Sequence, residues 1–330
     1  MAPSKYNMFS PSKNLLIKIA DRYYNQGLNQ QAIAKEFELS CATVSRMLQM
    51  AKSEGIVQIS LHPSALNCLR LEEKIRSVYP IEDIIVTPFD HPKDAPRETL
   101  LQSTETVGLE TARYLQRMAL DASTIGVSWG GTVCAALDFL NPSQRSSVKV
   151  VTMTGGFSAL SLEYDTPLAA KKLAKIFNAE NYIITADSYQ PNDAVMEYFM
   201  SQKKIQEAFH LFDQIDVSVS GVGSMFPTVT STIFQEGLLA SEYMDRLIDE
   251  YHPYGDIAGR FFDENGVECN SPLKDHTLSI SMEQYKAIPH KIVCTGGPWK
   301  ADTVIALLKG GLADILIIDQ ILAEAIVEKL

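Results

Sequence analysis

From Asp83 onward the chain repeats one pattern, a short run rich in Val and Ile followed by a stretch with helical periodicity. The runs are DIIVTP, TIGVSW, VKVVTM, NYIITA, DVSVSG, HKIVCTGG and ADILIID. Helices are expected over 99–118, from Thr132, over Leu168–Phe177, Ala194–Phe209 and Lys300–Lys309, and from Ile321. Apolar runs that alternate with amphipathic segments predict a doubly wound α/β domain, a mainly parallel sheet with helices on both faces. Such sheets bind ligands beyond the carboxyl ends of their strands.

Four of the expected strand ends carry similar chemistry. They are Ser128, Trp129, Gly130, Gly131 and Thr132; Thr154, Gly155 and Gly156; Gly221, Val222, Gly223 and Ser224; and Thr295, Gly296 and Gly297 with Lys300 just beyond. Glycine lets backbone approach a ligand closely, free N–H groups at the start of a helix favour an anion, and Lys300 adds a positive charge suited to phosphate. Taken singly, each Gly–Gly turn is better explained by a tight connection, but four on one sheet edge are harder to dismiss. None is a G-x-G-x-x-G or Walker loop, so dinucleotides and nucleoside triphosphates are not indicated.

In YGDIAGRFFDENGVE, Asp256 sits between a glycine and apolar residues, as a carboxylate turned into a pocket would, and it could accept two hydrogen bonds from sugar hydroxyls. DENG reads as a hairpin turn. Arg260 could meet a phosphate, but pairing with a nearby surface acid is favoured. Trp299 could stack on a sugar face or pack in the core.

The first 62 residues differ in character. Leu15, Leu16, Ile19, Ala20, Tyr23 and Tyr24 form one helical stripe ended by Gly27. Asn29 should cap a second helix carrying Ala32, Ile33 and Phe37, and Ser40 a third with Val44, Leu48 and Ala51 buried. Two short helices joined by FELS describe a helix-turn-helix, with the strand GIVQISLH as a wing or lead-out. In that geometry Cys41, Ala42, Thr43 and Arg46 face base edges, Ser45, Gln49 and Lys52 reach phosphates or neighbouring edges, and Gln30 and Gln31 meet a phosphate at a helix start. A helical bundle that caps something else is the alternative.

Charge supports the first reading. Residues 1–62 hold seven Lys or Arg against four acids, within a chain of net charge −11, so the remainder carries an excess of 14 acids. Only the small basic head should approach DNA, because the body repels it. No apolar run reaches the roughly 18–20 residues of a membrane span, and no secretory signal opens the chain, so a cytoplasmic protein is expected. Five scattered cysteines, Cys41, Cys68, Cys134, Cys269 and Cys294, with no C-x-x-C, predict reduced thiols and no metal.

The stretch YYNQGLNQQAIAKEFELSCATVSRMLQMAKSEGIVQI resembles the head of the SorC family of bacterial sugar-responsive transcription regulators, with Cys41 and Ala42 standing where members often have Arg and Pro. IGVSWGGT, GVGS, GDIAGRFFDENG and TGGPWKADTVIALLKGGLADILIIDQILAEAIV match the same family in order. The resemblance implies a body related in fold to glucosamine-6-phosphate deaminase and ribose-5-phosphate isomerase. It also implies a phosphorylated sugar or polyol effector held by the strand-end loops, Asp256 and Lys300, and a homo-oligomer, commonly a tetramer or dimer of dimers. Thr154 is not a lysine, so an imine with an aldehyde cannot form at that loop.

The expected organisation is therefore a helix-turn-helix domain over 1–62, winged-helix-like, a linker or oligomerisation helix over 63–82, and an effector domain over 83–330. The helix within 63–82 could equally pack on its own body. The leading function is regulation of a carbohydrate or polyol operon through double-stranded operator DNA, with no cofactor and no membrane. The alternative is a sugar-phosphate isomerase or deaminase with an appended head, which would need an acid or base over the sugar carbons. The six histidines read as solvated loop residues. A ligand-free interaction module would leave the glycine loops unexplained.

Overall fold

The computed structural model describes residues 11–59, 63–89, 103–142, 148–156, 165–231, 233 and 241–330. It divides into two compact units, Met1–His62 and Pro63–Leu330.

In the smaller unit, α1 (Lys13–Ala20) starts at Ser12, whose hydroxyl accepts from the Leu15 N–H, and runs into a π-helical turn over Asp21–Asn25. Gly27, at φ +68°, reverses the chain. Asn29 caps α2 (Gln30–Glu36) by accepting from the Ala32 N–H, and Ser40 caps α3 (Cys41–Ser53) by accepting from the Thr43 N–H. Both caps satisfy backbone donors that would otherwise be orphaned at a helix start. Leu16, Ile19, Ile33, Val44, Leu48 and Ala51 pack in a shared core. Tyr24 stays at the margin, 38% exposed. The expected wing is not formed over Gly55–Ile59, and the end of GIVQISLH lies outside the described residues. Ile56 and Val57 instead pack against the three-helix core, and the Val57 N–H donates to the Ala51 carbonyl. A lone strand has no ladder partner to satisfy its backbone.

In the larger unit, α4 (Pro63–Val78) lies against its own domain. It buries Cys68, Leu71 and Ile75 in the core that β1 (Asp83–Thr87) shares, and the Glu72 carboxylate accepts from the Val86 N–H at 2.8 Å. After α5 (Ser103–Met118) the chain alternates through β2 (Thr124–Val127), α6 (Gly131–Phe139), β3 (Lys149–Thr152), α7 (Thr166–Phe177) and β4 (Glu180–Tyr182). The single helix expected over Ala194–Phe209 is two, α8 (Asp193–Met200) and α9 (Lys203–His210). At the break the Ser201 hydroxyl donates to the Tyr198 carbonyl, a local bond that competes with helix continuation. Next come β5 (Val217–Ser220), β6 (Gly223–Ser224), α10 (Ser241–Tyr251), β7 (Gly255–Ile257), β8 (Arg260–Phe262) and α11 (Met282–Ala287). The chain ends with β9 (His290–Thr295), α12 (Ala301–Lys309), β10 (Ile315–Asp319) and α13 (Gln320–Val327).

Seven strands form one parallel sheet in the order β1-β10-β9-β5-β2-β3-β4, and β6, β7 and β8 form a small antiparallel sheet. Alternate residues of the parallel strands enter two separate cores. Ile84, Val86, Leu316, Ile318 and Val293 belong to one, and Ile125, Val127, Val219, Ile292 and Ile317 to the other. This period-2 division between two helical layers is what the uninterrupted Val and Ile runs encode. Winding reverses between neighbours β2 and β5, since β2 leads to β3 on one side and β5 to β9 on the other. A crevice at their carboxyl ends follows from that reversal.

Candidate functional site

The crevice is a small cleft at the carboxyl ends of β2, β5 and β9, closed on one side by the small antiparallel sheet. Trp129, Gly130, Gly131 and Thr132 line it after β2, where α6 begins. Gly130 has φ +143°, and a Cβ there would lie 3.3 Å from Gly221 Cα, so the two loops meet backbone to backbone. Gly221 and Gly223 follow β5, and Lys300 follows β9.

Asp256, on β7, is the buried charge of the cleft, 2% exposed. Its Oδ1 accepts from the Ser231 hydroxyl at 2.6 Å, and a Cβ on Gly223 would overlap that oxygen. Burial pushes the carboxyl up to about 6, against the pull of the Ser231 hydrogen bond and the Lys300 charge. Lys300 Nζ donates to the Val222 carbonyl and to Thr295 Oγ1, each at 2.8 Å. The cleft thus combines a helix start, hydroxyls, one ammonium group and one carboxylate among the described residues, a set able to hold an anion at one place and hydroxyls at another.

Several expected ligand residues sit elsewhere. Ser128 is buried in the strand continuation, its N–H bonded to the Val219 carbonyl. Thr154 is buried and shares a 2.7 Å hydrogen bond with Ser188, while the Gly155 N–H donates to Leu278 and the Gly156 N–H to Ala186. A Cβ on Gly155 would come within 2.5 Å of the Ala186 carbonyl, so that glycine serves a close chain crossing. The Ser224 hydroxyl is spent on the Phe226 and Thr228 carbonyls. Gly296 and Gly297 back onto Asp319, whose carboxylate accepts from the Gly297 N–H, the Ser103 hydroxyl and the Leu322 N–H. Trp299 lies across Gly297, outside the cleft lining.

Thr230, Ala258 and Cys294 line the cleft without having been expected there, beside Val222 of GVGS and Thr295 of the last TGG loop. Cys294 and Thr295 end the run HKIVCTGG, so the strand-end rule reaches them; Thr230 comes from a loop with no periodic signal. Arg260 does pair with an acid, Glu268 at 3.4 Å, but inside the protein. Its guanidinium also donates to the carbonyls of Lys274, Thr277, Ser279 and Ile280. Of the histidines, His276 pairs with Asp193 and His290 with Glu82, and among the described residues none lines the cleft. His62 and His91 lie outside the described residues.

In the smaller unit, Cys41, Ala42, Arg46, Gln49 and Lys52 are exposed on α3. Thr43 and Ser45 are half-buried, and Thr43 Oγ1 shares a 2.8 Å hydrogen bond with Ser40. Arg46 Nε reaches the Ala42 carbonyl at 3.4 Å, and Lys52 Nζ lies 5.8 Å from the Tyr24 ring centre. Gln30 and Gln31 open α2, the second of them exposed. No group of His, Cys, Asp and Glu among the described residues is arranged to hold a metal, and none of the described helices is long and apolar enough to cross a membrane.

Residues 64–328 match the family model described as "Putative sugar-binding domain". The chain is 26% identical over 318 residues to the deoxyribonucleoside regulator of Bacillus subtilis, covering 96% of this chain and 98% of that one. It is 20% identical to the erythritol catabolism regulatory protein EryD of Brucella abortus, over 97% and 98% of the two chains. The crystal structure of the full-length sorbitol operon regulator SorC from Klebsiella pneumoniae superposes with a TM-score of 0.71 at 25% identity, over 96% of this chain and 100% of that one.

Proposed function

Because this chain belongs to the sugar-binding domain family of SorC-type transcriptional regulators, we propose that it controls a carbohydrate or polyol operon by binding operator DNA through α3. A phosphorylated sugar or polyol in the cleft sets how tightly it holds that DNA. The observation that carries this reading is the convergence of buried Asp256, Lys300 and the two glycine loops on one cleft at the reversal of the sheet. In it, the phosphate meets Lys300 and the α6 start, and Asp256 accepts the sugar hydroxyls. The relatives' names, which speak of sorbitol, erythritol and deoxyribonucleosides, support a polyhydroxylated effector.

Control works by linkage. An effector that prefers one arrangement of the protein shifts operator affinity by its difference in affinity for the two arrangements and by no more. A single reading helix per chain suits a homo-oligomer engaging two half-sites, in the cytoplasm where the operator lies. A second reading, turnover of a sugar phosphate, has one observation in its favour: a carboxyl held near 6 is suited to moving protons.

A thermal-shift screen with hexitol, pentose and tetritol phosphates beside the free compounds tests the proposal, repeated with Lys300→Ala. A phosphate-dependent rise that the substitution weakens is expected. A rise with free sugars alone would remove the anion from the reading. Conversion of a bound sugar phosphate, followed by NMR, would replace the sensor with an enzyme.

A further inference from the structure

The loop after β3, expected to touch ligand, has a different surrounding. Met153 to Gly156, the segment Ala186–Gln190 after β4, and Thr277–Ile280 before α11 are joined backbone to backbone. Gly156 N–H donates to Ala186, Ser188 N–H to Gly156, Leu278 N–H to Ser188, Gly155 N–H to Leu278 and Ile280 N–H to Met153. The β7–β8 hairpin rests on this platform. Its turn residues Ala258 and Gly259 have φ of +49° and +81°, the left-handed pair of a tight two-residue turn, and alanine is disfavoured there. Something outside the turn must hold it.

Two side chains make the attachment. Tyr189 Oη donates to the Gly259 carbonyl at 2.9 Å, and its ring stacks on Phe261, at 6.2 Å between centres and 14° between planes. Phe261 is the cross-strand partner of Asp256. On the opposite strand face, Arg260 holds the hairpin to the carbonyls of Thr277, Ser279 and Ile280. A Cβ on Gly259 would come 3.2 Å from Ser188 Oγ and 3.3 Å from Thr154 Oγ1, so the turn sits directly against the platform. Burial raises the Tyr189 phenol well above its ordinary value, which keeps it a hydrogen-bond donor at any physiological pH.

We infer that Tyr189 is a positioning residue for the effector cleft, fixing through Gly259 and Phe261 the hairpin that presents Asp256 and Ala258 to the ligand. The inference rests on the reading that a phosphorylated sugar occupies the cleft. It gives Thr154, Gly155 and Gly156 a task other than ligand contact: they build the surface on which the hairpin turn is held.

The test is Tyr189→Phe in the full-length chain, which keeps the ring stacking and removes only the hydroxyl. Affinity for the sugar phosphate that binds wild type best in the panel should fall about three- to tenfold, the loss of one partly buried hydrogen bond. Binding of inorganic phosphate, followed by thermal shift, should be unchanged, because the hairpin carries the hydroxyl-binding carboxylate and not the anion site. Unchanged sugar phosphate affinity would overturn the inference, and so would an equal loss for inorganic phosphate, which marks a general structural role. A wild-type chain that binds inorganic phosphate but no sugar phosphate would instead overturn the effector reading and the inference with it.

Discussion

Replacing Asp256 with asparagine separates what the cleft carboxylate costs the fold from what it supplies to the ligand. Asp256 is 2% exposed, and burial holds its carboxyl at about 6 against 3.8 for the unperturbed group. The folded protein therefore binds this proton more tightly than the unfolded chain does. The stability contributed by Asp256 is fully present below about pH 4 and is lost as the pH rises through about 6. A gap of about two pKa units, at about 1.4 kcal/mol each, corresponds to about 3 kcal/mol of stability missing at pH 8. Asparagine carries no charge and can keep the acceptor for Ser231, so the variant should recover most of that amount. For a domain of this size that is a rise of roughly 5–10 °C in melting temperature at pH 8, falling to about half of that near pH 5 and vanishing only below about pH 4. Glu72 and Asp319 are also raised by burial and tilt both curves alike, so the difference between the two proteins isolates Asp256. The ligand side should move oppositely, with sugar phosphate affinity falling roughly 10- to 100-fold as charge-assisted hydrogen bonds are lost. Thermal melts from pH 5 to pH 8 give the first quantity and titration calorimetry the second. Parallel melting curves, or a variant less stable than wild type at pH 8, would refute the reasoning.

Three further outcomes are expected. Arg46→Ala should weaken specific operator binding by about 1–3 kcal/mol in a gel-shift assay while leaving the melting temperature unchanged, because the side chain is exposed. Gly155→Ala forces a methyl against the Ala186 carbonyl and Ser188 N, 2.5 and 2.8 Å from the ideal Cβ position. It should cost about 1–3 kcal/mol of stability, read by denaturation. Arg260→Met leaves the carbonyls of Lys274, Thr277, Ser279 and Ile280 without their donor and Glu268 paired with Lys274 alone, at 3.3 Å, and should destabilise by about 3–5 kcal/mol, visible as a large drop in melting temperature.

Periodicity alone determined that this chain builds a helical head and a parallel α/β body, because burial on two sheet faces leaves a local trace in every Val and Ile run. The helix caps at Asn29 and Ser40 were legible for the same reason, since a cap bonds to a backbone donor three residues on. The strand-end rule brought Trp129, Gly130, Gly131, Thr132, Gly221, Gly223 and Lys300 to one cleft, and the isolated carboxylate of GDIAG brought Asp256. What sequence left undecided was which glycine loop faces the cleft. Gly130 and Gly155 look alike in sequence, but β2 lies beside β5 and β9, while β3 lies one strand further out. Gly130 therefore borders the crevice, and Gly155 is pressed against the backbone of segments more than 30 residues away. Arg260 shows the same limit, since its burial depends on carbonyls from Lys274 to Ile280 that no local pattern announces. Strand order and chain crossings are set by contacts between distant segments, so only the tertiary structure could decide which of two similar loops meets a ligand and which holds the protein together.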